Sequence, residues 1–368
     1  MNIRNLFIAF SLFMGIISCS SDDDNWNDTG SPKEMSGLYI LNEGTMGGNN
    51  STLDLYNFET GEYTSNLFTH VNPSIVNGLG DVGNDLQIYN GKMYAVINGS
   101  NYIEVMDAKT GIHSGTINIP NCRYITFHKE YAYVSSFAGP ILPNNSQLGK
   151  IYKVNTSSLS IEDEITVGYQ PEEMAIANNK LYVANSGGYS PESYDNSVSI
   201  IDLNTFKEIK KLEVGANLWR VKADKNNFVW VTSRGDYAAL APSVSVIDPG
   251  SDAVTTTLDA TISDFVFYGD LLYYYGTSWT GGSATNTYGV ININSKTQTS
   301  DHWVNSSTES EIIAPYGLTV NPANGDLFIA DAVNYISPGK LYHLDKNGNV
   351  KDIKTTGLLP GHFAFLPK

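Results

Sequence analysis

The sequence predicts an all-β chain folded as one seven-bladed β-propeller, closed by its C-terminal strand. Three observations predict it. From residue 36 onward, short apolar-alternating runs bounded by Gly, Asn, Asp and Pro recur without any long segment of helical period. One kind of run carries a central aromatic residue seven times, at Tyr39, Tyr94, Tyr133, Tyr182, Trp230, Tyr273 and Phe328. A second series ends the strand that follows, at Asn57, Asp107, Asn155, Asp202, Asp248, Asn292 and Asp345, each before a turn whose backbone its side chain can cap. Two seven-fold series in step, at periods of roughly 40 to 55 residues with about four strands each, describe propeller blades.

The segment before the repeats reads as an address. Arg4 precedes an almost wholly apolar run, Leu6 to Ile17, too short for a permanent membrane span and suited to a signal-peptide core. The run ends Ile16-Ile17-Ser18-Cys19, which resembles a bacterial lipobox. That resemblance implies removal of residues 1–18 and acylation of Cys19. Ser20-Ser21-Asp22-Asp23-Asp24 resembles the surface-export signal of Bacteroidota lipoproteins, implying an outer-membrane lipoprotein facing the cell exterior. Residues 19–36 are polar and form the expected linker, and 37–368 the propeller. Cys122 is then alone, with a small buried apolar side chain as its expected role.

Closure follows from the ends. The first repeat, beginning at Gly37, lacks the strand that precedes the aromatic signature elsewhere. The last ends in a surplus strand, Leu359-Pro-Gly-His-Phe-Ala-Phe-Leu366, similar to Gln170-Pro-Glu-Glu-Met-Ala-Ile-Ala177, which opens the fourth repeat. The C-terminal strand therefore supplies the inner strand of blade I and removes open edges.

Loop lengths point to one face. With strands labelled A to D outward from the channel, the A–B and C–D turns are tight. The B–C loops are long in six blades (41–51, 135–149, 185–196, 233–243, 276–287, 330–339), as are the D–A connections 69–81 and 305–316. B–C and D–A loops share one rim, where a rigid scaffold presents function. Strand alignment places His362, Asp85, Arg123, Glu173, Arg220, Asp264 and Gly317 at the channel mouth just before strand A, with Trp219 and Tyr316 beside them. The B–C loops add Phe137, Tyr189, Tyr194, Arg234, Tyr237, Trp279 and Tyr335. Every Arg beyond Arg4 thus falls on this face, among the residue types enriched at binding hot spots.

Composition excludes some classes. At 41% hydrophobic and 11% aromatic the chain buries a large core, and a net charge of −16 without a basic patch argues against nucleic acid. Gly78-Leu-Gly-Asp-Val-Gly83 matches a dinucleotide fingerprint, but no helix follows it. The six His show no metal-ligand spacing. Asp85, Glu173, Asp264 and His362 could meet across the channel mouth, which would suit a cation or lactonase-like chemistry. No nucleophile with a local base is visible, so the expected role is binding without catalysis or cofactor.

The Leu-Tyr-Val-Ala-Asn run at 181–185 resembles the YVTN-type repeat of YncE-like propellers. Together with the lipobox and acidic tether, it makes the chain resemble the cobalamin-capturing surface lipoproteins of Bacteroidota (BtuG-like). The resemblance implies a corrinoid ligand and a TonB-dependent outer-membrane transporter as partner. Tyr and Trp suit an apolar corrin plane and its amides, and Arg123 or Arg220 its phosphate tail. The competing readings are a propeller binding a glycan or protein on the same face, a lactonase or lyase, and a structural adhesin-like module.

Overall fold

A computed structural model describes residues 34–141, 147–280 and 282–368. The signal peptide, Cys19 and nearly all of the expected linker lie outside these residues. The described chain forms seven four-stranded antiparallel sheets, six of them built in chain order. In the seventh, blade I, the C-terminal strand Pro360–Pro367 takes the inner position beside Met35–Asn42. Their register pairs Leu38 with Phe365, Tyr39 with Ala364 and Ile40 with Phe363. Phe363 and Phe365 pack with Phe328 and Leu38 into the core between blades VII and I. The ring is closed as expected. Strand B of blade I begins at Met35, inside the stretch read as linker, and Lys368 secures it: its N–H donates to the Glu34 carbonyl (2.9 Å) and its Nζ pairs with the Glu34 carboxylate (2.7 Å).

The aromatic series is the core. Tyr39, Tyr94, Tyr133, Tyr182, Trp230 and Phe328 are buried on strand B of their blades, and Tyr273 is half-buried. Strand alternation sends neighbouring side chains to opposite sheet faces, so each strand feeds two inter-blade cores. Cys122 is fully buried between blades II and III, as its solitary apolar role predicts.

The second series works as turn caps in all seven blades. Asp107 Oδ1, for example, accepts from the N–H groups of Lys109 and Thr110, and Asp202 Oδ1 from Asn204 and Thr205. The other face departs from expectation in one blade. Residues 276–287, read as a loop, are mostly strand: Leu271–Thr280 and Ser283–Asn292 form a long hairpin in blade VI. Its Thr, Ser, Asn and Gly residues read as loop composition, yet cross-strand pairing carries the ladder outward. Two short helices stand in the D–A connections, α1 (Leu67–Val71) and α2 (Ser306–Glu311).

Candidate functional site

Two local devices build the channel mouth. The first is a bulge in strand A. In blade III the pairing with strand B jumps from Cys122 to Ile125, in blade IV from Pro171 to Met174, and in blade V from Leu218 to Val221. Each jump leaves two residues out of the ladder: Arg123-Tyr124, Glu172-Glu173 and Trp219-Arg220. Bulges turn side chains away from their regular alternation. The predicted mouth residues therefore sit inside strand A, not before it, and three adjacent blades each deliver two side chains.

The second device sets the first residue after strand B. Leu359, Val82, Asn121, Gln170 and Asn217 all adopt left-handed backbone angles just before strand A (φ 59, 54, 45, 48 and 55°). Their carbonyls accept the N–H of Glu43, Asn98, Phe137, Ser186 and Arg234 respectively (2.8–3.1 Å). Five blades thus pin one post-strand residue beside the bulge, which is how Arg234 and Glu43 reach the mouth.

These pieces form a continuous ladder. The guanidinium carbons of Arg234 and Arg220 lie 4.1 and 4.4 Å from the centroid of the Trp219 ring. Trp219 Nε1 and Arg220 Nη1 both donate to the Tyr124 hydroxyl, each at 3.2 Å. Arg123 lies 5.8 Å from the Tyr124 ring and 4.9 Å from Phe137, which meets Tyr189 edge-on. The three Arg that the sequence assigns to one face are stacked through shared aromatics.

Their charges are not equivalent. Arg123 donates from Nε and Nη2 to Glu172 (3.2 and 3.0 Å), and burial opposes its charge, but Glu172 outweighs it and keeps it ionised. Arg220 lies 3.5 Å from Asp264, which also takes Lys222 at 2.8 Å. Burial alone would raise the Asp264 pKa, yet Arg220 and Lys222 hold it below the usual carboxylate range. Arg234 makes no ion pair among the described residues, and its Nε is buried without a hydrogen-bond partner. It is the mouth guanidinium left uncompensated.

The predicted carboxylates are largely staples between blades. Asp85 accepts from the N–H of Ile125 (2.9 Å) and Glu173 from that of Val221 (2.9 Å); burial raises the pKa of both. His362 and Tyr316 converge on Glu43, with His362 Nε2 at 3.0 Å and the Tyr316 hydroxyl donating at 2.6 Å. Gly317 adds no side chain: a Cβ there would lie 2.7 Å from the Gly361 carbonyl. Among the described residues no group of three or more His, Cys, Asp or Glu stands close enough to hold a metal ion.

The predicted residues thus fall into layers. Asp85, Arg220, Asp264 and His362 are buried; Arg123, Glu173, Trp219, Arg234, Tyr194 and Tyr316 are half-buried. Tyr189, Tyr237, Trp279 and Tyr335 form an exposed rim, from 41% to 73% accessible. Phe137 is turned inward under Arg123 and Tyr189 and leaves the rim. Tyr335 still touches the mouth, edge-on to Tyr316 at 6.0 Å. Met46, Val76, Leu240, Ile313 and Ile336 are also exposed on this face. Sequence reasoning missed Glu43, Tyr124 and Glu172. Their signals are faint: the first residue past strand B, and the partner of each singled-out residue in the Arg123-Tyr124 and Glu172-Glu173 dipeptides.

Solved structures share the fold at low identity. A Bacteroides thetaiotaomicron quinonprotein alcohol dehydrogenase-like protein superposes with a TM-score of 0.61 at 15% identity, covering 90% of this chain and 78% of that one. The Kuenenia stuttgartiensis hydrazine synthase gives 0.61 at 14%, covering 76% and 88%. A candidate 6-phosphogluconolactonase from Bacteroides fragilis gives 0.60 at 12%, covering 90% and 98%. No curated protein matches the chain by sequence. The family model that does match, over residues 36–334, is that of DUF5074, described as a domain of unknown function, and the chain belongs to that family.

Proposed function

We propose that this propeller is a non-catalytic capture protein whose loop face takes a corrinoid and passes it to a TonB-dependent outer-membrane transporter, from a lipid anchor at Cys19 on the cell exterior. One observation carries the ligand site: Arg234, without a carboxylate partner, lies against Trp219 at the mouth beneath an exposed rim of Tyr237, Tyr189, Trp279 and Tyr335. A flat ligand with an apolar plane, peripheral amides and one phosphate matches those groups. The rings cover the plane, and the uncompensated guanidinium meets the phosphate. Arg123 and Arg220, already neutralised by Glu172 and Asp264, instead hold Tyr124 and Trp219 in place. The corrinoid itself rests on the resemblance to cobalamin-capturing lipoproteins, and the anchor on the Ile16-Ile17-Ser18-Cys19 run.

Titration calorimetry with cobalamin tests the reading. Trp219→Ala and Arg234→Ala should each cost about 2 kcal/mol, the hot-spot threshold, or roughly thirtyfold in Kd. Asn179→Ala, on the opposite face, should leave affinity unchanged. No heat with the parent protein removes the corrinoid, and equal losses on both faces remove the site. Cys19→Ala should release the protein from the membrane fraction; retention there removes the anchor.

A further inference from the structure

Blade VI differs from its neighbours at its outer edge. Its strand C runs ten residues, Ser283–Asn292, but strand D, Thr297–Ser300, reaches only Val290, Ile291 and Asn292. In blades II to V and VII, strand D follows strand C to within a residue of its loop-face end. Blade I also has a short strand D, yet there the Asn66 N–H bonds Asp54 and α1 follows at once. Among the described residues, Ser283–Thr287 therefore presents a strand edge with no neighbouring strand. Ser283, Ala284, Thr285 and Thr287 on it are exposed. Beyond it Tyr288 and Gly289 are buried, Trp303 lies edge-on to Tyr288, and the Asn286 amide donates to the Ile313 carbonyl (3.0 Å).

A cleft of about 450 Å3 lies along this edge. Asn286, Thr287 and Tyr288 form one wall; Asp259, Gln298, Asp301 and Glu309 stand among the others. Among the described residues no Lys or Arg lines it, and the lining His302 is engaged by Glu309 at 3.0 Å. The Tyr288 hydroxyl is buried without a hydrogen-bond partner.

We propose that this edge is a strand-addition site for an extended, basic segment of a partner protein. Unpaired N–H and C=O groups on an edge are a template for another chain, and proteins normally guard such edges with Lys, Pro or other charges. Other outer strands here carry those guards, as in Lys207-Glu-Ile-Lys-Lys211 and Val350-Lys-Asp-Ile-Lys354, whereas Ser283-Ala-Thr-Asn-Thr-Tyr-Gly289 has none. Five residues, Ser283–Thr287, at about 3.4 Å each accept the central part of a short extended segment. Asp259, Asp301 and Glu309 select Lys or Arg side chains on it. The site lies on the outer flank of blade VI and does not rest on the corrinoid reading.

The test uses fluorescence anisotropy of the labelled heptapeptide Lys-Thr-Lys-Val-Lys-Thr-Lys with the full chain carrying Cys19→Ala. Strand addition uses every second peptide N–H. N-methylation of alternate nitrogens in one register should therefore abolish binding, while the other register leaves it intact. The Asp259→Asn/Asp301→Asn/Glu309→Gln variant should bind at least tenfold more weakly. Binding that survives methylation in both registers would reduce the interaction to charge attraction and overturn the proposal. Absence of binding at millimolar peptide would overturn it too, as would maltopentaose or cellopentaose occupying the cleft with no competition from the peptide.

Discussion

The two faces of the disc solve the same problem in opposite ways. On the trimmed face, an Asn or Asp at the end of each strand C bonds its own turn two to four residues on, as Asp345 does with Asn347 and Asn349. On the loop face the polar groups reach across blades: Asp85 to Ile125, Glu173 to Val221, Arg123 to Glu172, Tyr316 to Glu43. Local satisfaction leaves a short, repeating signature. Satisfaction at a distance leaves none, yet it frees some groups, Arg234 among them, from structural duty.

This contrast can be broken at graded cost. Deleting residues 359–368 removes the inner strand of blade I, and with it Phe363 and Phe365. Both rings are partly buried in the core between blades VII and I, and the pairing with Met35–Asn42 goes with them, so the melting temperature should fall sharply; an unchanged melt would refute the closure. Glu172→Gln leaves the Arg123 charge without its carboxylate. Because Glu172 is buried and Arg123 keeps 18% of its side chain accessible, about 3 kcal/mol in denaturant unfolding is expected, while Glu172→Gln combined with Arg123→Met should recover much of it. On the trimmed face, Asp202→Ala loses its exposed turn bonds and should lower the melting temperature far less than either change above, with cobalamin binding untouched. Any change in binding there would couple the faces.

The smallest effect is one of pH. Burial lowers the pKa of His343, against the pull of Asp326, whose Oδ2 lies 2.9 Å from its Nε2. The folded state thus resists protonation. Stability carried by neutral His343 is complete above the unfolded value near 6.5 and declines as pH falls below it. Urea midpoints measured from pH 7.5 to 5 should drop in the parent and drop less in His343→Phe.

The fold was legible because its determinants repeat. The aromatic of strand B and the cap of strand C recur where a turn or a core demands them, whatever the loops contain. At the mouth, Arg123, Trp219, Arg220 and Arg234 were legible as residue types on one rim. Their partners were not. Glu172 and Tyr124 depend on two-residue bulges that shift register without a composition signal, and Glu43 on a left-handed Leu359 more than 300 positions away. The blade VI hairpin was hidden for a different reason: its residues have turn-like chemistry, and pairing overrides it.

The junction of Glu34 with Lys368 fixes where the chain arrives. Strand B of blade I starts on the trimmed face, so whatever precedes Glu34 joins the disc from that side. Under the proposed anchor at Cys19, the leash to Glu34 spans at most about 50 Å fully stretched. Under that proposal, a disc held at its back would carry its attachment point on the side away from its loop face. To offer that face to the proposed transporter in the same membrane, it would have to turn over. Capture and delivery would then be two orientations of one body on one leash.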